Sequence, residues 1–130
     1  FSSMESTHIA ASTAFKMSRH NVNDIDVAEV HDAFSVCEPM ALESLGFTDK
    51  GKGMNMIKEL YTTNNLKINP RGGLIGSGHP LGATGIAQTI EITQQLQSCA
   101  NKRQVENAKI GLIHNMSAAA TSSTVLVLER

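Results

Sequence analysis

The chain has 130 residues, 41% of them hydrophobic and 18% charged, with a formal net charge of −1. That length bounds one domain with a modest core, and the near-neutral charge, single Tyr and lack of Trp exclude a basic nucleic-acid surface with stacking platforms. No apolar run approaches the roughly 20 residues needed to cross a bilayer, and Cys37 and Cys99 lack metal-type spacing, so no metal site is expected.

In chain order, Ser3–Arg19 carries apolar residues at Ile9, Ala10, Ala14, Phe15 and Met17, a pattern compatible with an amphipathic helix. A polar turn, Asn21–Asp24, precedes a β-branched run at Ile25–His31 that reads as a strand. Ser35–Leu45 reads as a helix that opens on a capping box, Ser35 with Glu38, and lines one face with Phe34, Cys37, Ala41 and Leu45. Pro39 falls in its first turn, where a missing N–H costs least. Lys50–Gly53 reads as a basic turn, Met54–Tyr61 as a short helix and Leu66–Pro70 as a brief extended piece. Leu81–Gln97 reads as a helix with Ile86 and Ile90 on its apolar face, and Ala100–Ala108 as a charged, exposed connection. Two strands, Lys109–His114 and Ser123–Glu129, close the chain as an antiparallel hairpin around Ser117–Ser122, the second with the look of a strand covered on both faces. Strands alternating with helices predict an α/β fold. The chain reads as one domain over residues 1–130, and its opening on Phe1-Ser2-Ser3 fits a piece of a longer protein.

Six of the ten glycines fall in Asn69–Gly85, NPRGGLIGSGHPLGATG, with His79 at their centre. Glycine lets backbone turn sharply and approach other groups, and Pro80 pushes His79 into an extended conformation, so an imidazole is held on a stiff, thinly covered loop that feeds a helix. His31 follows the first strand, at the edge where open α/β sheets bind ligands. There it could polarise a carbonyl, hold a water or accept a thiol proton, or simply bond to backbone. Asp32 fits a helix cap or turn as well as a catalytic acid. His114 and Asn115 could face the site or solvent. Cys37, on an apolar face, reads as a buried inert thiol; Cys99 has no visible partner. Lys50, Lys52 and Arg71 could meet phosphates or lie on a solvated face. Reduced thiols in a cytoplasmic compartment suit this cysteine usage better than a disulfide scaffold.

From Asp24 to Glu129 the chain resembles the C-terminal part of the thiolase superfamily. The NPRGGLIGSGHPLGATG stretch is similar to the thiolase histidine loop, while His31-Asp32-Ala33-Phe34, Lys102-Arg103-Gln104 and His114-Asn115 resemble the sterol-carrier-protein-2 type and the archaeal-type acetoacetyl-CoA thiolases. The resemblance implies a mixed sheet with packed helices, one half of a thiolase-like fold truncated at its N-terminal edge. It implies acyl transfer between coenzyme A thioesters, with His79 activating a cysteine and contributing to an oxyanion hole, and His31 holding the other thioester oxygen directly or through water. Gly76, Gly78, Pro80 and Phe34 would meet the coenzyme A thioester, a substrate rather than a resident cofactor. The implied partners are the N-terminal half and, in the full protein, further copies in a homo-oligomer; relatives of the sterol-carrier type in eukaryotes are peroxisomal.

The chain departs from the family pattern in three places. Nothing matches the motif of the nucleophilic cysteine, which belongs to the N-terminal half. Ala33 stands where the sterol-carrier type has a cysteine, and the final turn reads Ser117-Ala118-Ala119-Ala120-Thr121 where relatives are glycine-rich. These departures keep two other readings open: a non-catalytic thiolase-like subunit or acyl-CoA-binding partner, and a carbon–carbon lyase on the same fold.

Overall fold

The computed structural model describes residues 3–63, 65 and 67–130. Five helices, α1 (Glu5–Ser18), α2 (Cys37–Leu45), α3 (Gly53–Thr62), α4 (Gly73–Ser77) and α5 (Thr84–Leu96), surround a sheet of β1 (Val27–Glu29), β2 (Ile110–Met116) and β3 (Ser123–Glu129). The sheet order is β1-β2-β3; β1 runs parallel to β2, with Val27 opposite Gly111, and β2 antiparallel to β3, with Asn115 opposite Thr124. The predicted mixed α/β architecture with a terminal hairpin is what the chain adopts.

Side-chain alternation splits the sheet into two faces. Ala28, Val30, Leu112 and Val125 join Ala11, Cys37, Ala41, Leu42 and Leu45 in the larger core, beneath α1 and α2. Val27 and Ile113 turn the other way and pack with Ile92 and Leu96 of α5. Gly111 makes this second contact close, since a Cβ there would stand 2.4 Å from Ile92 Cγ2. The layers are therefore helix, sheet, helix.

Several local expectations change. α2 begins at Cys37 with no side-chain cap, and Glu38 Oε1 instead accepts from Asn69 Nδ2 at 3.2 Å. Phe34 leaves the predicted apolar face and is 72% exposed. In α1, Ile9 and Met17 are exposed while Thr7 and Ala11 are buried. β3 is less covered than predicted: Val125 is buried, Leu126 is exposed, and Val127 and Leu128 are partly buried against the two opposite cores. The 100–108 connection has buried ends at Ala100 and Ala108, and Arg103 within it is paired with Glu91. The predicted extended piece at 66–70 includes position 66, outside the described residues; Ile68 within it bridges in parallel to Ala28.

The largest difference is in α5. Ile86 and Ile90 are 64% and 53% exposed, whereas Thr84, Gln88, Glu91 and Gln95 are buried beside Ile92 and Leu96. The helix sets a largely polar face on its own sheet and leaves an apolar one open. With Leu81, Ile113, Thr124 and Leu126, those isoleucines line an open trough of about 500 Å³.

Candidate functional site

Parallel pairing of β1 and β2 ends both strands at one edge, which brings His31 beside Asn115. The His31 Nδ1 and Asn115 Oδ1 atoms are 2.8 Å apart. The glycine loop reaches the same edge because its first half is laced along β1. Asn69 N–H donates to Ala28 O at 2.8 Å, Val30 N–H donates to Asn69 Oδ1 at 2.8 Å, and Arg71 N–H donates to Glu29 Oε1 at 3.3 Å. Asp32 Oδ1 then accepts from Leu74 N–H at 2.6 Å, capping α4. Gly73 is required here: its φ is +62°, and a Cβ would stand 2.1 Å from Asp32 Oδ2. Asp32 is thus the residue that seats the loop.

Beyond α4 the loop delivers His79. Its ring stands edge-on to that of His31, centroids 4.8 Å apart. His79 Nδ1 lies 2.7 Å from Thr84 Oγ1, and that hydroxyl donates its one hydrogen to Pro80 O at 3.2 Å. With that hydrogen on Pro80 O, the hydroxyl accepts from His79 Nδ1–H and Nε2 carries the free lone pair. Neither Nε2 is hydrogen-bonded among the described residues.

His114 lies behind the pair, fully buried. Its Nδ1 accepts from His31 N–H at 3.4 Å and its Nε2 lies 3.0 Å from Thr7 Oγ1. Burial, and next the charge of His31, push its pKa down to about 4. Burial also lowers the pKa of His31, helped by His79 and opposed by the Asn115 hydrogen bond and Asp32. Glu29, fully buried under the loop, is raised to about 7 chiefly by burial, against the pull of Arg71.

The structure therefore gathers His31 and His79, adds Asn115, and assigns His114 to support. Gly76, Gly78 and Pro80 are exposed along the His79 loop, and Phe34 is exposed three residues beyond His31. The other candidates lie elsewhere: Lys52 pairs with Asp49 at 2.7 Å, Cys37 is in the core, and Cys99 is exposed after α5. His20 meets Glu129 Oε2 at 3.1 Å. Thr84 escaped the sequence reading, although a hydroxyl residue at a helix start five positions after His79 was a usable signal. Among the described residues no His, Cys, Asp and Glu cluster suits a metal, and no helix is long and apolar enough to cross a membrane.

Two imidazoles in contact, each with Nδ1 engaged by a neighbouring oxygen, can take a proton from a nucleophile and return it to a developing oxyanion. The acetyl-CoA acetyltransferase of Methanothermobacter thermautotrophicus is 44% identical over 129 residues, covering 98% of this chain and 34% of that protein. Human sterol carrier protein 2 is 47% identical over 109 residues, 82% of this chain and 20% of that protein. The chain thus spans between a fifth and about a third of the length of these relatives. Among solved structures, an Ltp2-ChsH2(DUF35) aldolase superposes with a TM-score of 0.78 at 19% identity, covering 95% of this chain and 31% of that one. The peroxisomal 3-ketoacyl-CoA thiolase of Saccharomyces cerevisiae, described as five α-β-α-β-α layers built from two core domains of identical topology, superposes with a TM-score of 0.58 at 23% identity, covering 98% and 30%. The family model described as thiolase C-terminal domain-like matches residues 2–130, and the chain belongs to that family.

Proposed function

We propose that this chain is the C-terminal half of a thiolase-type acyl-CoA acyltransferase, and that it supplies the histidines while an N-terminal half supplies the nucleophilic cysteine. The observation that carries the reading is the His31–His79 pair at 4.8 Å, delivered to one sheet edge by two separately anchored segments. His79 Nε2 takes the proton from the cysteine thiol, and the thiolate attacks the thioester carbonyl. The new imidazolium donates Nε2–H to the oxyanion, and collapse expels the coenzyme A thiolate as the acyl-enzyme forms. His31 serves the second thioester oxygen, where the enolate of the partner acyl group develops. The exposed strip Gly76, Gly78, Pro80 and Phe34 receives the coenzyme A chain. The resemblance to the archaeal acetyltransferase supports an acetyl or short 3-ketoacyl thioester as substrate.

The open face of α5 is where the N-terminal half packs. The helix–sheet–helix layering here and the five layers of the yeast enzyme agree if α5 lies in the shared middle layer.

The test is thiolysis of acetoacetyl-CoA by the full-length protein. His79→Ala is expected to lower kcat by roughly a thousandfold, the range for loss of a positioned acid–base group, with KM little changed. The second reading, a non-catalytic thiolase-like subunit that binds acyl-CoA in a larger assembly, is favoured by Ala33 and by Ala119 and Ala120, which hold φ of +56° and +53°. It predicts no turnover and no cysteine that acetyl-CoA protects from iodoacetamide.

A further inference from the structure

We infer that Ser6 and Thr7, on the first turn of α1, are positioning residues. With Ser123 and His114 they form a one-way hydrogen-bond relay that holds the alanine turn at one end and the backbone of His31 at the other. Only the kinetic arm of its test rests on the acyltransfer reading. The relay begins at the turn between β2 and β3, where Ser6 Oγ donates to Ala120 O at 2.6 Å. The Ser6 and Ser123 hydroxyls are 2.7 Å apart, those of Ser123 and Thr7 2.9 Å, and Thr7 Oγ1 lies 3.0 Å from His114 Nε2. His114 Nδ1 then accepts from His31 N–H at 3.4 Å.

Counting hydrogens fixes the direction from both ends. A carbonyl only accepts, so the one hydrogen of the Ser6 hydroxyl is committed to Ala120 O. Ser123 must then donate to Ser6, Thr7 to Ser123, and His114 Nε2–H to Thr7. From the far end, a backbone N–H only donates, so His114 Nδ1 is bare and a neutral ring carries its hydrogen on Nε2. The two counts agree. Burial keeps the ring neutral, and both His114 and Thr7 are fully buried, so bulk water replaces neither partner.

Both ends need holding. Ala119 and Ala120 take φ of +56° and +53°, a left-handed conformation that a Cβ disfavours, and the turn has no glycine to relieve it. Ser6 secures the second of these alanines from outside the hairpin. The first turn of α1 is itself fixed, because Met4 N–H donates to Ser44 Oγ of α2 at 3.1 Å. At the other end, His31 lies two residues past β1, and its N–H is taken by the His114 ring rather than by a strand. Helix α1 thereby acts on the histidine edge through His114.

The experiment uses 15N-labelled full-length protein at pH 7.5. It reads the His114 ring nitrogens, and the hydrogen exchange of the His31 amide against that of the core residue Leu112. The expected result is a hydrogen on Nε2 and a bare Nδ1 on His114. Thr7→Val keeps the shape of the side chain and removes the hydroxyl. It is expected to speed His31 exchange relative to Leu112 about tenfold, the scale of one hydrogen bond, and to lower kcat for acetoacetyl-CoA thiolysis by about as much with KM nearly unchanged. Thr7→Ser is expected to restore both. Ser6 is only half-buried, so Ser6→Ala keeps the test open if Thr7→Val does not fold. Its expected effect is about tenfold faster exchange of the Ala120 amide, which donates to Ser117 O at 3.0 Å. A hydrogen on Nδ1 of His114 in the unaltered protein overturns the inference. So does a Thr7→Val protein that loses stability while His31 exchange relative to Leu112 and kcat stay unchanged, or unchanged Ala120 exchange in Ser6→Ala. Because tautomer and exchange are read without turnover, an inactive protein that shows both overturns the acyltransferase reading and leaves the relay standing.

Discussion

Glu29 and His114 occupy neighbouring strands and depart from their ordinary pKa values in opposite senses. Glu29 rises from 4.5 to about 7 through burial, so between those values the folded state holds a proton that the unfolded state has lost, and stability falls as pH rises. His114 falls from 6.5 to about 4, so between those values the unfolded state holds the extra proton, and stability rises with pH. Over pH 5–6.5 the two slopes oppose each other. Glu29→Gln keeps an oxygen for Arg71 N–H and removes the acid. Its expected effect is greater stability at pH 8 and a stability that climbs by about 1 kcal/mol per unit between pH 5 and 6.5, read by urea unfolding. An unchanged pH profile would show that Glu29 ionises normally. At this scale the glycine loop and both catalytic candidates were legible, because glycine spacing and strand-end histidines are local signals. The role of Asp32 was not, since its partner Leu74 lies 42 positions away and only the folded loop brings them together. Asn115 was similarly open until strand register set it beside His31.

Helix α5 shows where pattern reading reaches its limit. Its span was legible, but the isoleucines that mark an apolar face point away from its own sheet. The buried side is polar because it binds the following connection. Glu91, its side chain 2% exposed, accepts from Arg103 Nη2 at 2.9 Å and from Nε at 3.2 Å, while Gln95 holds Arg103 O at 2.7 Å and Val105 N–H at 2.8 Å. Hydrophobic periodicity locates a helix's apolar stripe without saying which body covers it. Arg103→Ala leaves Glu91 buried and unpaired, with an expected cost on the order of 3 kcal/mol; Arg103→Lys, lacking the planar fork, falls between. Urea midpoints check both, and a loss below about 0.5 kcal/mol for Arg103→Ala would mean that water reaches the carboxylate.

An α/β sheet ordinarily covers both faces, yet here Leu81, Ile86, Ile90 and Leu126 stay 83%, 64%, 53% and 44% exposed around one trough. A patch of that kind marks an interface. The proposed occupant is the N-terminal half, and the isolated chain, lacking it, should cover the patch with another copy of itself. Ile86→Asp with Ile90→Asp separates this from ordinary folding. Both side chains are already open in the isolated chain, so the pair should leave its unfolding midpoint nearly unchanged while abolishing its self-association in sedimentation velocity. In the full-length protein the same pair would bury two carboxylates without partners, and several kcal/mol should be lost together with the folded yield. If the unsubstituted chain sediments as a monomer and the full-length protein tolerates both aspartates, α5 faces solvent and the middle-layer assignment fails.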